Sequence, residues 1–181
     1  MDDSPEANAP SILLPYTKKH DEATVRWLND SHVKSTFGLQ RSVSLDTHRR
    51  WVESATDTRI WAITDASCRH VGNVLLKINE QHATGYFQIY IGEARARGTG
   101  LGSQALQETL QKAFQKLALH RVWLHSLPSN LQARKLYAKF GFVMEGIERE
   151  ALLVDNHRVD QERWSLLAHE WKERLRKLSK I

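Results

Sequence analysis

The sequence predicts an α/β (α+β) domain on three grounds. Its 181 residues suit one domain with a sizeable core, and 41% hydrophobic with 26% charged residues is an ordinary globular composition. Apolar periodicity switches from helical to alternating near residue 59 and back near residue 101. The alternating runs between are parted by short polar turns, as in an antiparallel meander.

Taken in order, SILLPY opens with a short strand. Asp21 then stands near the start of a helical pattern that carries Ala23, Trp27 and Leu28. A loop, STFGLQRSVS, leads to a second helix, LDTHRRWVESA, with Ser44 as its cap. RIWAIT, HVGNVLLKI and TGYFQIYIG read as three strands. In the last, Phe87, Ile89 and Ile91 form a core face, while Tyr86, Gln88 and Tyr90 form a line of hydrogen-bonding groups fit to border a cavity.

Leu101, Ala105, Leu106, Leu110, Ala113, Phe114 and Leu117 recur at helical spacing, so a third helix follows. RVWLHSL is a further strand. A fourth helix begins near Ser129 or Asn130, carries Ala133, Leu136, Tyr137 and Phe140 on one stripe, and stops at Gly141. FVMEGIERE and VDQERWSLLAHEW close as two strands about a turn at Asp155–Asn156. The order is β-α-α-β-β-β-α-β-α-β-β. Residues 1–10 read as a disordered tail, 11–173 as the folded domain and 174–181 as a charged C-terminal tail.

Composition excludes several classes. No apolar run is long enough to span a bilayer, so no membrane partner is expected. MDDSPEANAP lacks the basic and apolar regions of a signal peptide, which suggests a cytoplasmic protein. One cysteine, Cys68, cannot form an internal disulfide, and nine scattered histidines show no HExxH spacing, so no metal is expected. The net charge of +5 suits an anionic ligand. Because the basic residues form no aromatic-interleaved strip, nucleic acid is not the expected partner.

ARARGTGLGSQALQETL, residues 94–110, carries the chemistry. A strand, then Arg97-Gly98-Thr99-Gly100-Leu101-Gly102, then a helix is an arrangement that binds phosphate. Glycines let the main chain approach a diphosphate, and the free N–H groups of the first helical turn donate to its oxygens. Arg97 adds a counter-charge. No lysine follows the glycines, which rejects a P-loop, and three or more strands precede them, which fits a dinucleotide fingerprint poorly. By itself the loop also reads as a tight turn that packs a helix on a sheet.

A second segment, SNLQARKLYAKFGF, lies some thirty residues on. Together the two resemble the GNAT superfamily of acetyl-coenzyme-A-dependent N-acetyltransferases. Arg97-x-x-Gly100-x-Gly102 resembles its Gln/Arg-x-x-Gly-x-Gly/Ala diphosphate loop, and Asn130, Ala133, Tyr137 and Gly141-Phe142 match its N..A...Y...GF segment. VRWLND, LHRVWL and EGIERE are similar to the branch containing ribosomal-protein N-terminal, polyamine and amino-sugar acetyltransferases. The likeness runs from about residue 12 to about residue 172.

That resemblance implies a GNAT-like fold. Its mixed, mostly antiparallel sheet of about seven strands is splayed at strands four and five and flanked by four helices, and residues 11–173 form the acetyltransferase domain. It implies acetyl-CoA as co-substrate, with main-chain groups around Tyr90 and Ile91 taking the pantetheine arm and steadying the oxyanion. Arg97, Gly98, Thr99, Gly100, Leu101, Gly102 and Asn130 would also hold the carrier, Asn130 being an N-cap, a contact, or both. Tyr137 corresponds to the tyrosine that gives a proton to the leaving thiolate, though a core aromatic on a helical stripe is the other reading. Homodimers are common among such relatives.

The sequence departs from the family at the general base. The strand-four position where many relatives carry glutamate aligns with Tyr86, and the inward line holds no carboxylate. His125 is the titratable substitute, unless its role is structural or water serves. A lysine-like or polyamine amine (pKa near ~10.4) needs more help to lose a proton than an α-amino group near ~8. The sequence therefore leans toward a small amine acceptor of low pKa, an amino sugar (free or nucleotide-linked) or another such amine, with Phe37, Tyr86 and Gln88 as substrate contacts. Trp27 and Tyr90 offer further rings for stacking, although Trp27 and Phe37 read equally as core. A ribosomal N-terminal or a polyamine acetyltransferase, or a CoA-binding module without catalysis, are the alternatives.

Overall fold

The computed structural model describes residues 11–179. Seven strands form one sheet in the order β1-β2-β3-β4-β5-β7-β6. Strand β1 is Leu13–Pro15, β2 Thr58–Thr64, β3 His70–Asn79 and β4 Thr84–Ile91. Strand β5 is Arg121–Ser126, β6 Val143–Val154 and β7 His157–Leu167. Neighbours run antiparallel except β4 and β5, which are parallel, so the sheet is mixed and mostly antiparallel as expected. The tight turn between β6 and β7 falls at Asp155 and Asn156, both at positive φ.

Among the described residues six α-helices rather than four accompany the sheet: α1 Asp21–Leu28, α2 Ser31–Thr36, α3 Leu45–Ser54, α4 Leu101–Gln111, α5 Leu131–Phe140 and α6 Ala168–Leu178. Helix α2 is a short one that begins before the expected loop. The side chain of Asp30 caps it by accepting from His32 N–H. The strand expected to reach Trp171 ends at Leu167, and α6 runs on through most of the segment read as a tail. Trp171 explains the change, since it is buried in the core from a helix whose other face is charged. The expected tail at 1–10 lies outside the described residues.

Alternation along β3 and β4 divides the interior. Val74, Leu76 and Phe87 enter a large core with Ala105, Leu106 and Leu110 of α4, Val122 and Leu124 of β5, and Tyr137 and Phe140 of α5. Tyr90 takes the opposite face, in a smaller cluster with Trp27 of α1, Val33 of α2 and partly buried Phe37. One side of β4 is thus anchored in the main core. Its other side is roofed by α1, α2 and the loop after them.

Candidate active site

Strands β4 and β5 pair at only three positions, Thr84↔Arg121, Gly85↔Val122 and Tyr86↔Trp123. Beyond Tyr86 they part. Strand β4 continues beside β3 to Ile91, and β5 continues beside β7 to Ser126. The sheet is therefore splayed at strands four and five.

Which backbone groups face the gap follows from one hydrogen bond. Gly92 N–H donates to Val71 O at 2.8 Å, so in an antiparallel ladder every second residue back along β4 also bonds to β3. Tyr86, Gln88 and Tyr90 are those residues. Ile89 and Ile91 point their N–H and C=O groups into the gap, beyond Phe87, whose N–H closes the last pair with β5. Of the expected pair, Ile91 lies on the open edge, whereas the main chain of Tyr90 belongs to the β3 ladder, and Ile89 takes its place.

Below the gap the loop bares its amides. Gly98 and Gly100 sit at φ of 76° and 92°, conformations that favour glycine, and Gly100 is the N-cap of α4. Ser103 and Gln104 N–H both return to Gly100 O, at 3.0 and 3.1 Å. Among the described residues, the N–H groups of Gly98, Thr99, Gly100, Leu101 and Gly102 make no hydrogen bond within the protein. Five adjacent donors at a helix N-terminus fit a diphosphate. Gly102 has an ordinary φ, and a Cβ there would meet nothing within 4 Å. The fold does not require that glycine, and its bare backbone leaves room for a ligand to lie close.

Two residues of the loop are placed differently from their expectation. The Arg97 guanidinium turns back to donate from Nε to Ile91 O (3.0 Å) and from an Nη to Gly92 O (2.8 Å), with Asp30 3.6 Å away. It ties the loop to the end of β4 more than it offers a free counter-charge. Thr99 Oγ1 donates to Ala96 O at 2.8 Å, so its hydroxyl is spent inside the turn.

On the far wall, Asn130 Oδ1 accepts from Ala133 N–H at 3.1 Å and caps α5. Its amide nitrogen has no protein partner among the described residues. Tyr137 lines the cleft from α5, nearly buried, and burial pushes its phenol pKa up, so it stays protonated. Its hydroxyl makes no hydrogen bond within the protein among the described residues. Lys135 and Lys139, one turn apart, border the same cleft. The reading of the sequence passed over them, although an i, i+4 lysine pair on the helix after Asn130 was a visible signal. The cleft as a whole encloses about 880 Å³.

On the acceptor side, Phe37 meets Tyr90 edge to face with ring centroids 5.5 Å apart, and Gln88 lies beside them. The Tyr90 hydroxyl accepts from Asn73 at 2.7 Å, and burial pushes its pKa up to about 12. Trp27 is core, its ring buried against the same cluster, and it does not line the cleft. Tyr86 packs on Trp123 at 4.4 Å, and its hydroxyl lies 3.3 Å from His125 Nδ1. Glu148 of β6 is 3.2 Å from His125 Nε2. Nothing in the sequence links Glu148 to this place, because only the β5-β7-β6 order brings it there. A second cavity of about 260 Å³, largely apolar, lies between β2–β4 and α3 and shares Phe37, Gln88 and Tyr90 with the cleft.

The comparisons agree with this geometry. Residues 11–143 match the family model described as an acetyltransferase (GNAT) domain. Over 117 residues the chain is 31% identical to spermidine N(1)-acetyltransferase of Vibrio cholerae, covering 64% of this chain and 67% of that one. It is 23% identical over 141 residues to an N-acetyltransferase 9-like protein of Caenorhabditis briggsae, covering 71% of each. The crystal structure of the Vibrio cholerae spermidine N-acetyltransferase in complex with CoA and spermine superposes with a TM-score of 0.83 at 24% identity, over 88% of this chain and 96% of that one. The splayed sheet, the row of bare amides and the family match lead to one conclusion: the chain belongs to the GNAT superfamily of acetyl-coenzyme-A-dependent N-acetyltransferases.

Proposed function

We propose that this enzyme acetylates a primary amine of a small polyamine-like acceptor. The observation that carries acetyl transfer is the pairing of five free amides with the open edge of β4. Acetyl-CoA, when bound, supplies a thioester whose acetyl carbon accepts the amine. The amides of residues 98–102 hold its diphosphate, and the lysines at 135 and 139 add positive charge along the same wall. The edge groups of Ile89 and Ile91 align the pantetheine arm as a strand would, and their N–H groups face the position where negative charge develops. Tyr137 keeps a proton on its buried hydroxyl beside the gap, available to a departing thiolate.

The polyamine reading replaces the lean toward an amino sugar. What supports it is the 31% identity to a spermidine acetyltransferase. One observation favours a second reading: among the described residues that line the cleft there is no Asp or Glu to receive extra ammonium groups. A less basic amine, such as an amino sugar or a protein N-terminus, makes no such demand. The test is thiol release from acetyl-CoA across spermidine, spermine, amino sugars and ribosomal N-terminal peptides. Preferential turnover of the polyamines supports the proposal. Preferential turnover of either other class overturns the acceptor, and binding of CoA with no turnover of any amine overturns catalysis itself.

A further inference from the structure

Four strands bring one cluster of titratable side chains to the point where the sheet parts. Tyr86 comes from β4, His125 from β5, Glu148 from β6 and Arg163 from β7. The Tyr86 hydroxyl lies 3.3 Å from His125 Nδ1, and Glu148 Oε2 lies 3.2 Å from His125 Nε2, somewhat off the line of its N–H bond. Arg163 holds the other oxygen of Glu148 at 2.5 Å and spreads over Trp123, 4.9 Å from its centroid. A carboxylate beside Nε2 places the histidine's proton on that nitrogen. Nδ1 is left with a lone pair facing the tyrosine O–H. Glu148 stands beside Nε2 and the Tyr86 hydroxyl beside Nδ1, and both Tyr86 and His125 line the cleft.

Building on the proposed acetyl transfer, we infer that Tyr86 and His125 relay a proton out of the acceptor's ammonium, with Glu148 as the residue that positions His125. The acceptor's N–H bond breaks as a new O–H bond forms on Tyr86. The tyrosine's own O–H proton passes in the same movement to His125 Nδ1. The amine is left with its lone pair, and the imidazolium sits against the Glu148 carboxylate until the proton returns to water. Arg163 holds Glu148 in place through their ion pair. Burial and the Glu148 charge both raise the Tyr86 phenol, so it remains a neutral hydroxyl that accepts and donates in one step. The charged and titratable groups around His125 are Tyr86 of β4, Glu148 of β6 and Arg163 of β7. At neutral pH an amine of pKa near ~10 is uncharged in only about one molecule in a thousand, so the relay removes a barrier that a weakly basic amine does not meet.

Tyr86→Phe keeps the ring on Trp123 and breaks the chain of oxygens and nitrogens. We expect it to lower kcat/KM for spermidine roughly a hundredfold at pH 7, with CoA affinity and thermal stability unchanged. For an amine of pKa near ~8 the loss should shrink to roughly fivefold or less. Glu148→Gln should move the acid limb of the kcat/KM profile to lower pH, because the carboxylate no longer favours the imidazolium. Equal losses for both amines at every pH, or no loss at all, would overturn the relay. His125 can also be followed without turnover, by NMR titration of its ring in the free protein. A downward shift of its titration in Glu148→Gln supports the coupling, and an unchanged titration removes it. Failure of every acceptor would count against the proposed acetyl transfer, while the NMR titration would still decide the relay.

Discussion

Arg97 Nε donates to the carbonyl of Ile91 at 3.0 Å, so the arginine of the glycine loop occupies the last acceptor on the open edge of β4. The loop and the strand edge are one unit, since the same guanidinium also reaches Gly92 O at 2.8 Å. A planar fork can span two neighbouring carbonyls; an ammonium cannot hold both in that geometry. Arg97→Ala and Arg97→Lys should therefore weaken CoA binding alike, by roughly tenfold, as read by titration calorimetry. Near-normal affinity in Arg97→Lys would show that charge alone is what the position supplies.

Gly102 separates ligand from fold. Its φ is unexceptional, and a side chain there would enter open space, so Gly102→Val should leave the thermal midpoint within about 2 °C of the parent. The same valine would occupy the volume over the bare amides, and CoA affinity should fall at least roughly tenfold. Gly100→Val, at φ +92°, should lose thermal stability as well.

Tyr137→Phe removes a hydroxyl that bonds to nothing within the described protein, so no buried partner is stranded. Stability and CoA affinity should stay near the parent values. The maximal rate should fall, by roughly ten- to a hundredfold, because a departing thiolate loses its proton donor. Single-turnover acetyl transfer measures it, and an unchanged rate would return Tyr137 to a packing role.

Two buried histidines and a half-buried one predict a sensitivity to acid. Burial pushes His20 down to about 4, and burial likewise lowers His48 and His70 from the usual 6.5. The rings of His20 and His70 meet at 4.7 Å. A group whose folded pKa is depressed contributes stability above its unfolded pKa and loses it as pH falls, so the midpoint in urea should drop steadily below about pH 6.5. Glu145, held down to about 2 by Arg121, keeps its contribution until the pH falls below 4.5. The interval from 6.5 to 4.5 therefore reports the histidines, and a flat midpoint there would contradict their burial.

Much of this molecule was legible in its residues. Strand alternation in TGYFQIYIG, the stripe on LQARKLYAKF and the glycines after Arg97 each mark local backbone chemistry. They located the sheet, the capped helix and the glycine turn that opens α4 correctly. Trp171 was misread as part of a strand because a short apolar run fits either period, and packing into the core resolved it as helix. Trp27 reads equally as a stacking ring or as core, and packing places it in the core.

The general base shows where local reading ends. The inward line of β4 carries no carboxylate, and from that the sequence leaned toward a weakly basic amine. The carboxylate that stands behind His125 comes from β6, twenty-three residues further on, carried there by a strand order in which β7 lies between. By itself the sequence determined what each segment's backbone can do, because periodicity and glycine act over a few residues. Only the tertiary structure decided which side chains share the gap, because strand order and the point at which β4 and β5 part arise from contacts between distant segments.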